Sequence, residues 1–566
     1  MKEKRGSINT AKLYGIFLFL FFAWFIFACL IFPNINTILT VFYQDGHITF
    51  EPLHKLLGSA RAMKALRNSF ILAPCLSLTV GFVGISIVLI TEYFDIKGAN
   101  ILRLGYMTTL IYGGIILVSG YKFIYGSNGF LTNILANIFP SFPTNWFTGF
   151  WAVLFVMTFS CTSNHMLFLR NAMRSVDFQT VEAAQNMGAK QSTILLKVVL
   201  PTLTPSLLSV TILTFITGLS ATSAPLLVGG KDFQTINPMI LDFSQQVSSR
   251  DLAALLALVL GLATIILLAI MTAIERRGNY MSVSKKQKIN NPILNVLAHI
   301  YAYALFVIYV VPVVLVILFS FTDSKTIASR KLSLSAFTLD NYIAVFSKAS
   351  AYRPFVVSII YSSLAALCCA AIILMACRYI TKHQNKLSSA LEYSLLIPWL
   401  LPTTLIAIGI VMTYNTPRPW MLNQVLTGTT VVMLLGYVIM KLPFTLRMTK
   451  AAFYSLDDSL EDAAKSLGAR SSYTFFRVLL PIILPTVLAI LALNFNALLT
   501  DYDMSVFLYH PLNQPVGVYI RTMTNSQTNA DNTVLTFVYS VILMAISTIV
   551  LYFVYGRGSK VDESSH

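Results

Sequence analysis

Charged residues are scarce in this chain of 566 residues. Asp, Glu, Lys and Arg together account for 11% of the sequence, whereas soluble globular domains carry about 25%. Hydrophobic residues account for 56%, and the mean hydropathy is +0.72. Since a water-soluble protein cannot bury so large an apolar fraction in one core, we expect most of the chain to lie in a lipid bilayer.

The residues from which catalytic and metal sites are built are few and scattered. The seven histidines form neither a Ser-His-Asp arrangement nor an H-E-x-x-H motif. The six cysteines lie in apolar stretches without the spacing of a disulfide framework or a zinc site. Cys368, Cys369 and Cys377 could together bind a soft metal, but buried cysteine usually packs as a small apolar residue. We therefore assign no catalytic residue and no metal ligand, and we expect no enzyme activity.

A nucleotide-binding loop is also missing from the sequence. The loop that cradles the phosphates of ATP has the pattern G-x-x-x-x-G-K-[ST]. The nearest run, Gly229-Gly230-Lys231-Asp232, lacks both the spacing and the hydroxyl residue. We expect no cofactor on this chain, and any ATP and Mg²⁺ used with it would bind to a separate ATPase.

No long polar segment is present that could form a basic face for nucleic acid, although the net charge is +17. What the sequence contains instead is twelve apolar segments long enough to cross a bilayer, which takes about 20 residues. The predicted spans are 13–32, 69–91, 104–124, 149–169, 202–228, 252–274, 297–320, 355–377, 392–414, 428–446, 482–500 and 533–555. The sequence therefore predicts an all-α, polytopic membrane protein.

Basic residues lie mainly on one side of these spans. When the N-terminus is placed in the cytoplasm, the cytoplasmic segments contain 26 of the 40 Lys and Arg residues. Because cytoplasmic loops of membrane proteins are enriched in Lys and Arg, both termini are predicted to be cytoplasmic. The first apolar run follows a basic N-terminus and could be a signal peptide, but its length of about 20 residues favours an uncleaved first helix.

The chain contains a direct repeat at a spacing of 280 residues. Residues 175–205 and 455–485 are identical at 11 of 31 positions. Both copies fall on the predicted cytoplasmic side, between the fourth and fifth spans of a set of six. The same direction and the same side indicate a parallel duplication. We expect a first six-helix half at 1–278, a cytoplasmic linker at 279–296 and a second six-helix half at 297–566.

Each repeat copy predicts a short helix at the cytoplasmic surface. Ser175 and Asp177 can cap the N-terminus of this helix, and Gly188 permits a sharp turn after it. Pro201, like Pro481 in the second copy, is expected to open the next membrane helix, where a missing N–H costs little. An ordinary amphipathic loop helix would explain one copy, but two matched copies favour a lever that receives motion from a cytoplasmic partner.

The repeated pattern resembles the EAA loop of importer permeases in the ABC transporter superfamily, in which E-A-A is followed by three residues, a glycine, nine residues and I-x-L-P. The matching residues are Glu182, Ala183, Ala184, Gly188, Val198, Leu200 and Pro201 in the first copy and Asp462, Ala463, Ala464, Gly468, Val478, Leu480 and Pro481 in the second. An aspartate replaces the glutamate at position 462, although Glu461 stands beside it. The resemblance implies that each loop docks into a cleft on an ATPase subunit, so that one chain would engage two ATPase copies.

The resemblance extends over nearly the whole chain and is strongest to fused permeases of the ferric-iron type. The segments that carry it are Asn68-Ser69, the run from Ser223 to Gly230, and the run from Phe337 to Tyr342. It implies an extracytoplasmic solute-binding protein as a partner and the inner membrane of a prokaryotic cell as the location. Permeases for thiamine, phosphonate and polyamines look similar, so these solutes stay open as alternatives to ferric iron.

Polar residues near the end of the fifth span of each half are candidates for the substrate path, because polar groups inside membrane segments are usually functional. These residues are Ser220, Thr222 and Ser223 in the first half and Asn494, Asn496, Asp501 and Asp503 in the second. The two carboxylates would suit a hard trivalent cation. Alternatively, Asp501 and Asp503 mark the solvated end of a helix, and the hydroxyl groups bond to neighbouring helices.

Two other classes of protein were weighed. A secondary transporter would need carboxylates in the middle of its membrane helices as proton relays, and the predicted spans are nearly free of Asp and Glu. A membrane enzyme would need a clustered catalytic constellation near one face, and the sequence shows none. Both are therefore less well supported than an ATP-driven importer.

Overall fold

A computed structural model of the chain describes residues 15–44, 46–110, 113–127, 129–173, 176–274, 286–329, 334–383, 385–454, 456–525 and 530–555. Within these ranges the chain is almost entirely helical, and its one sheet is an antiparallel hairpin of β1 Tyr43–Gln44 and β2 His47–Ile48. Nine of the described helices are long and apolar enough to cross a membrane, or twelve spans are present if each of three bent pairs counts as one. The predicted all-α polytopic fold is confirmed.

The described residues before 275 form helices α1 to α13. Their bounds are α1 Gly15–Phe42, α2 Glu51–Gly58, α3 Ala60–Tyr93, α4 Ala99–Tyr106, α5 Gly114–Tyr125, α6 Phe130–Ile138, α7 Phe150–Met173, α8 Phe178–Asn186, α9 Gln191–Ile194, α10 Leu200–Leu219, α11 Ser223–Val228, α12 Ile236–Ser244 and α13 Arg250–Ile274. Short 3₁₀ turns lie at Met107–Leu110 and Val247–Ser249, and a π-turn lies at Leu195–Val199.

The described residues after 285 form helices α14 to α26. Their bounds are α14 Pro292–Ser320, α15 Ser324–Ser329, α16 Asp340–Ser347, α17 Ala349–Lys382, α18 Lys386–Leu400, α19 Thr403–Tyr414, α20 Thr430–Tyr454, α21 Asp458–Ser466, α22 Ser471–Thr474, α23 Leu480–Leu499, α24 Ser505–Leu508, α25 Val516–Asn525 and α26 Ala530–Tyr555. Short 3₁₀ turns lie at Leu334–Ala336 and Pro419–Met421, and a π-turn lies at Phe475–Leu479.

The repeat seen in the sequence is also a repeat of structure. From α7 to α10 and from α20 to α23, each element of the second half begins 280 residues after its counterpart in the first, as Phe178 and Asp458 illustrate. The same spacing returns at α12 and α25 and at α13 and α26. Equivalent residues of the two halves can therefore be compared position by position.

Three of the predicted straight spans are broken. The span predicted at 104–124 consists of two helices that meet at 107°, and the span predicted at 392–414 consists of α18 and α19, which meet at 104°. The span predicted at 202–228 ends at Leu219 and resumes at Ser223. Pro402, which lacks an N–H group, precedes α19, and Gly114, at a φ of +58°, begins α5. Hydropathy does not reveal these breaks because apolar residues continue through them.

Pro201 and Pro481 lie in the first turn of α10 and α23, as predicted, but each of these helices continues from a preceding helical turn. In the first half α9 runs through the π-turn Leu195–Val199 into α10, so that Pro201 lies inside a continuous helical segment. The N–H of Leu200 donates to the carbonyl of Leu195, five residues back. Hydrogen bonds of this wider spacing accommodate a residue that cannot donate one itself. Pro481 follows the π-turn Phe475–Leu479 in the same way.

The first helix of each half packs against the other half. In α1, the carbonyl of Ala28 accepts a hydrogen bond from the Tyr414 hydroxyl of α19. In α14, the carbonyl of Ala302 accepts a hydrogen bond of 2.8 Å from the Tyr106 hydroxyl of α4. Apolar residues of α1 and α14 accordingly belong to the hydrophobic cores of the opposite halves. This exchange brings the broken spans of the two halves together.

Candidate functional site

The first repeat copy folds into a short capped helix, α8, which is called the first loop helix below. Asp177 precedes it, and the Asp177 carboxylate accepts a hydrogen bond of 3.0 Å from the N–H of Gln179. Gly188 follows the helix at a φ of +81°, which favours glycine because other residues pay a steric penalty there. Ser175, the other predicted cap, lies outside the described residues.

The second repeat copy has the same construction in α21, the second loop helix. The Asp457 carboxylate accepts a hydrogen bond of 2.9 Å from the N–H of Ser459. Hydrogen bonding to Ser459 holds the pKa of the Asp457 carboxyl below its usual range. Gly468 ends the turn at a φ of +80°, and Ser455 lies outside the described residues. Shared residues therefore give both loop helices the same beginning and the same end.

Both loop helices present small residues and one large apolar side chain to solvent. Met187 is 82% exposed, and Leu467, its counterpart in the second half, is 88% exposed. The alanines of each Ala-Ala pair are exposed or half-buried; they are Ala183, Ala184, Ala463 and Ala464. An apolar side chain standing among small residues on a polar surface is typical of a contact point for another protein.

The acidic residues of the two copies occupy different surroundings. Glu182 is half-buried, whereas the Asp462 side chain is 76% exposed and lies 3.2 Å from the ammonium of Lys465. The neighbouring Glu461 accepts hydrogen bonds of 2.7 and 2.8 Å from the guanidinium of Arg378 in α17. Their side chains are only 20% and 17% exposed. The Arg378 hydrogen bond holds the pKa of the Glu461 carboxyl below its usual range, so an ion pair attaches the second loop helix to the membrane helices.

The first loop helix is attached by apolar contacts at the same position. Val181, the counterpart of Glu461, is completely buried. It belongs to the core cluster that also contains Phe178 and Tyr93, whose rings lie 6.5 Å apart. Burial of apolar surface thus replaces the ion pair of the second half.

Two cavities lie between the halves and are related by the repeat. The larger, of about 400 Å³, is lined by the break between α4 and α5 together with α23. The smaller, of about 180 Å³, is lined by the break between α18 and α19 together with α10. Equivalent residues line them in pairs, with the first-half member in the smaller cavity: Leu213 and Leu493, Ile216 and Asn496, Ser220 and Thr500. The broken spans therefore line two cavities along the interface of the halves.

Asp503 lies where the two cavities approach each other, since it lines both of them. Its Oδ1 atom is buried and has no hydrogen-bond partner among the described residues. Thr222 lies beside its carboxylate. The equivalent residue of the first half is Ser223, which lines the larger cavity. The larger cavity is therefore lined by a carboxylate from one half and by a hydroxyl group at the equivalent position of the other.

Asp501 has a different role from Asp503, although both come from the same turn. Its carboxylate accepts hydrogen bonds from the N–H groups of Met504 and Ser505, at 3.2 and 3.0 Å, and so caps α24. It also lines the larger cavity. The chain reverses between the two aspartates, which leaves Asp503 as the carboxylate with a buried, unpartnered oxygen.

The remaining predicted path residues divide into two groups. Ser220 lines the smaller cavity, and Asn496 lines the larger one and donates a hydrogen bond of 3.3 Å to the carbonyl of Ser547. Asn494 lines neither cavity. It is buried and donates a hydrogen bond of 2.8 Å to the Thr445 hydroxyl, so it joins α23 to α20. Thr222 is also buried and accepts a hydrogen bond from Asn237 rather than lining either cavity.

Several residues at the site were not singled out from the sequence. Arg378 stands at the end of an apolar span, and its partner Glu461 was noted only as a neighbour of Asp462. Position 461 nevertheless holds a charged residue where its counterpart, Val181, is apolar. This difference between the repeat copies could have indicated that the two loop helices are attached differently. Trp399 and Pro402, which line the smaller cavity, gave no polar signal at all. Among the described residues, no group of three or more His, Cys, Asp or Glu side chains could hold a metal ion.

Comparison with known proteins gives a family match over most of the chain. Residues 10–280 and 369–558 match the model of the binding-protein-dependent transport system inner membrane component. The probable ABC transporter permease protein y4fN of Sinorhizobium fredii is 37% identical over 536 residues, which cover 94% of each chain.

More distant relatives differ in the solutes that their names give. The ferric transport system permease protein FbpB of Actinobacillus pleuropneumoniae is 22% identical over 93% of this chain and 76% of its own length. The putative 2-aminoethylphosphonate transport system permease protein PhnU of Salmonella choleraesuis is 24% identical over 38% of this chain and 76% of its own length.

Proposed function

This chain belongs to the binding-protein-dependent transport system inner membrane components, and we propose that it forms the whole translocation pathway of an ATP-driven importer. The observation that carries the proposal is the pair of loop helices. They have the same caps, the same terminal glycine conformation and a spacing of 280 residues within one chain. One chain of this construction offers two equivalent docking points, one for each of two ATPase subunits.

The exposed face of each loop helix fits an apolar cleft on such a subunit. Met187 and Leu467 would enter the cleft, and the small alanines beside them allow its walls to approach the helix backbone. ATP and Mg²⁺ would bind to the ATPase, and closure of its two copies would bring the loop helices together. Because the loop helices are attached to the membrane helices, the cavities between the halves would then open toward the outside.

The chain is a multi-pass membrane protein of a permease family, and we propose the prokaryotic inner membrane as its location, with both termini in the cytoplasm. Support comes from the unequal distribution of Lys and Arg. A solute-binding protein on the opposite side would deliver the solute to the outward-open path. Protease protection of tags added at each terminus of the chain in spheroplasts tests this orientation.

We propose ferric iron as the solute. Support comes from the similarity to FbpB, at 22% identity, and from the unpartnered carboxylate oxygen of Asp503 at the junction of the two cavities. Hard cations prefer oxygen ligands such as carboxylates. An anionic solute such as a phosphonate would instead meet a carboxyl group in its path.

Uptake by whole cells that carry the transporter tests both the solute and the path. We expect radioactive iron to enter, and Asp503→Asn to reduce its uptake by roughly tenfold or more, because hydrogen bonds and contacts to charged groups are worth about 1.5–3 kcal/mol. Ser223→Ala, at the equivalent position, should reduce uptake less, because it removes a neutral hydroxyl group rather than a carboxylate. Uptake of thiamine, 2-aminoethylphosphonate or a polyamine in place of iron would contradict the choice of solute.

The buried carboxylate of Asp503 also bears on the rival class of secondary transporters, which use such groups as proton relays. Deletion of the ATPase genes distinguishes the two classes. We expect uptake to disappear completely in their absence. Uptake that continues and follows the proton gradient would overturn the proposed ATP-driven mechanism.

A further inference from the structure

The described end of the linker, residues 286–291, lies against the first loop helix rather than running free between the halves. This stretch is called the linker segment here. The N–H of Gln287 donates a hydrogen bond of 2.7 Å to the carbonyl of Tyr93, and the N–H of Asp95 donates one of 2.9 Å to the carbonyl of Gln287. Ile289 packs against the main hydrophobic core. The linker segment is thus fixed by its backbone to the cytoplasmic end of α3.

Two glutamines of the first repeat copy bind the linker segment. Gln185, on the first loop helix, donates a hydrogen bond of 2.8 Å from Nε2 to the Oε1 atom of Gln287, whose side chain is buried. Gln191, at the start of α9, donates a hydrogen bond of 2.8 Å to the carbonyl of Lys288 and accepts one of 3.3 Å from the N–H of Asn290. A glutamine side chain that both donates to and accepts from one stretch of backbone fixes its position in two directions.

The linker segment continues directly into the first helix of the second half. Asn291 caps α14 and accepts hydrogen bonds from the N–H groups of Ile293 and Leu294. Two to three turns further on, α14 contacts the first half again. His299 Nε2 accepts a hydrogen bond of 3.2 Å from the N–H of Lys97, and the Tyr303 hydroxyl donates one of 2.9 Å to the Lys97 carbonyl. The first loop helix, the linker segment and the beginning of α14 therefore form one hydrogen-bonded unit.

The second repeat copy lacks the residues that make these contacts. Lys465 stands at the position of Gln185, and its ammonium contacts Glu461 and Asp462 of its own helix. Ser471 stands at the position of Gln191. The second loop helix is attached instead through Arg378.

We propose that Gln185, Gln191 and Gln287 are positioning residues that tie the first loop helix to α14, so that movement of this loop helix passes directly into the second half. The inference rests on the proposed function, because the movement would come from the ATPase. Since α14 packs on the first half and leads into the second, the tie gives the fused chain a link between its halves that two separate permease chains would lack. In this account the linker transmits motion as well as joining the halves.

The attachment itself can be measured on the full chain alone, in nanodiscs. The test variant is Gln185→Ala with Gln191→Ala, and the matched control is Lys465→Ala, at the equivalent position of the second half. We expect hydrogen exchange in residues 178–194 of the test variant to rise by roughly fivefold or more, since two side-chain contacts are lost. Unchanged exchange there would overturn the attachment, whether or not the protein proves to be an importer.

Transmission is measured as the ratio of solute uptake to ATP hydrolysis in proteoliposomes, with the ATPase that copurifies with the chain and the solute that the wild type carries. We expect the ratio to fall roughly fivefold in the test variant. Faster exchange with an unchanged ratio would overturn the proposal, because the glutamines would then be merely structural. A wild type that neither binds an ATPase nor needs one would contradict the proposed function instead.

A crosslinking rescue separates transmission from general damage. Cys75 and Cys368, the two cysteines that are not buried, are first replaced by alanine. Gln185→Cys with Gln287→Cys should then lower the uptake ratio, and a short bifunctional thiol reagent that joins the two positions should restore it. Inhibition by the crosslink would show that the linker segment and the first loop helix must separate during transport, which would overturn the proposal.

Discussion

The two loop helices share their geometry and differ in their attachment. Each begins after a capping aspartate and ends at a left-handed glycine, Gly188 in the first and Gly468 in the second. At one equivalent position, however, the attachments differ. Val181 packs into an apolar core in the first half, whereas Glu461 forms an ion pair with Arg378 in the second. Residues shared by the copies give the two helices the same beginning and the same end. Residues that differ determine how each helix is held, so the helix geometry is duplicated but the anchorage is not.

The largest effect is expected at the feature that the two helices share. Proline cannot adopt the left-handed conformation of Gly188 or Gly468, and forcing it there costs about 3 kcal/mol or more. We expect Gly188→Pro and Gly468→Pro each to reduce uptake by at least tenfold while the protein stays in the membrane and ATP hydrolysis continues. Uptake and hydrolysis are measured together in proteoliposomes.

The control for this pair is Gly428→Pro. Gly428 has a similar φ of +78°, and like the two loop glycines it lies in open surroundings, where an added Cβ would meet no other atom. It belongs to the connection before α20 rather than to a loop helix. We expect Gly428→Pro to leave the ratio of uptake to hydrolysis unchanged. Normal uptake by both loop variants would remove the basis for a coupling role.

A smaller effect is expected when the two anchors are exchanged. Val181→Glu buries a carboxylate in the core of the first half, and we expect it to weaken the attachment of the first loop helix by about 3 kcal/mol. Glu461→Val leaves the half-buried Arg378 without its ion pair and should weaken the second attachment by about 1–3 kcal/mol. Hydrogen exchange in residues 178–186 and 458–466 measures each attachment separately. If either substitution increased hydrogen exchange equally in both loop helices, the conclusion that the two helices are attached independently would be contradicted.

The smallest effect is expected from pH, and it should be larger in the second loop helix, because both helices have a capping aspartate but only the second also has an ion pair. Arg378 holds the pKa of Glu461 below its usual range, so the ion pair stabilises the folded state fully above the ordinary carboxyl pKa. That stabilisation is lost as the pH falls through the lowered pKa of the folded state. On acidification below about pH 4, residues 458–466 should therefore open before residues 178–186, as seen by hydrogen exchange corrected for its intrinsic pH dependence.

The variant Arg378→Gln provides the control for the pH experiment. Without the guanidinium, the pKa of Glu461 should return toward its ordinary value, and the acid-induced opening of the second loop helix should shift to higher pH or disappear. The first loop helix, which is held by Val181 and uncharged glutamines, should behave alike in both proteins. An acid response of equal size in the two loop helices would contradict the assignment of the ion pair.

Much of the architecture could be predicted because it depends on local pattern. Long apolar segments determine which residues cross the membrane, and the repeated aspartate and glycine determine the loop helices, whatever the rest of the chain does. The breaks at Gly114 and Pro402 were missed because the apolar composition continues through them. A change of direction within an apolar segment depends on which partners accept or donate the hydrogen bonds of one or two backbone N–H and C=O groups. Hydropathy does not measure this.

The site was harder to predict because it depends on distant contacts. Asp501 and Asp503 look alike in the sequence, and only the turn between them directs one carboxylate to cap α24 and the other to the junction of the cavities. Asn494 looks like a path residue but bonds to Thr445 of a neighbouring helix. Glu461 finds Arg378 at a separation of 83 residues. Pairings of this kind follow from helix packing, which a single sequence does not specify.

The central claim is that one chain carries two docking points for an ATPase. The most direct measurement is the subunit stoichiometry of the complex purified from membranes, determined by native mass spectrometry. The account predicts one copy of this chain with two copies of the ATPase, and loss of one ATPase copy when either Met187 or Leu467 is changed to aspartate. A complex with a single ATPase, or a chain that binds none, would contradict it.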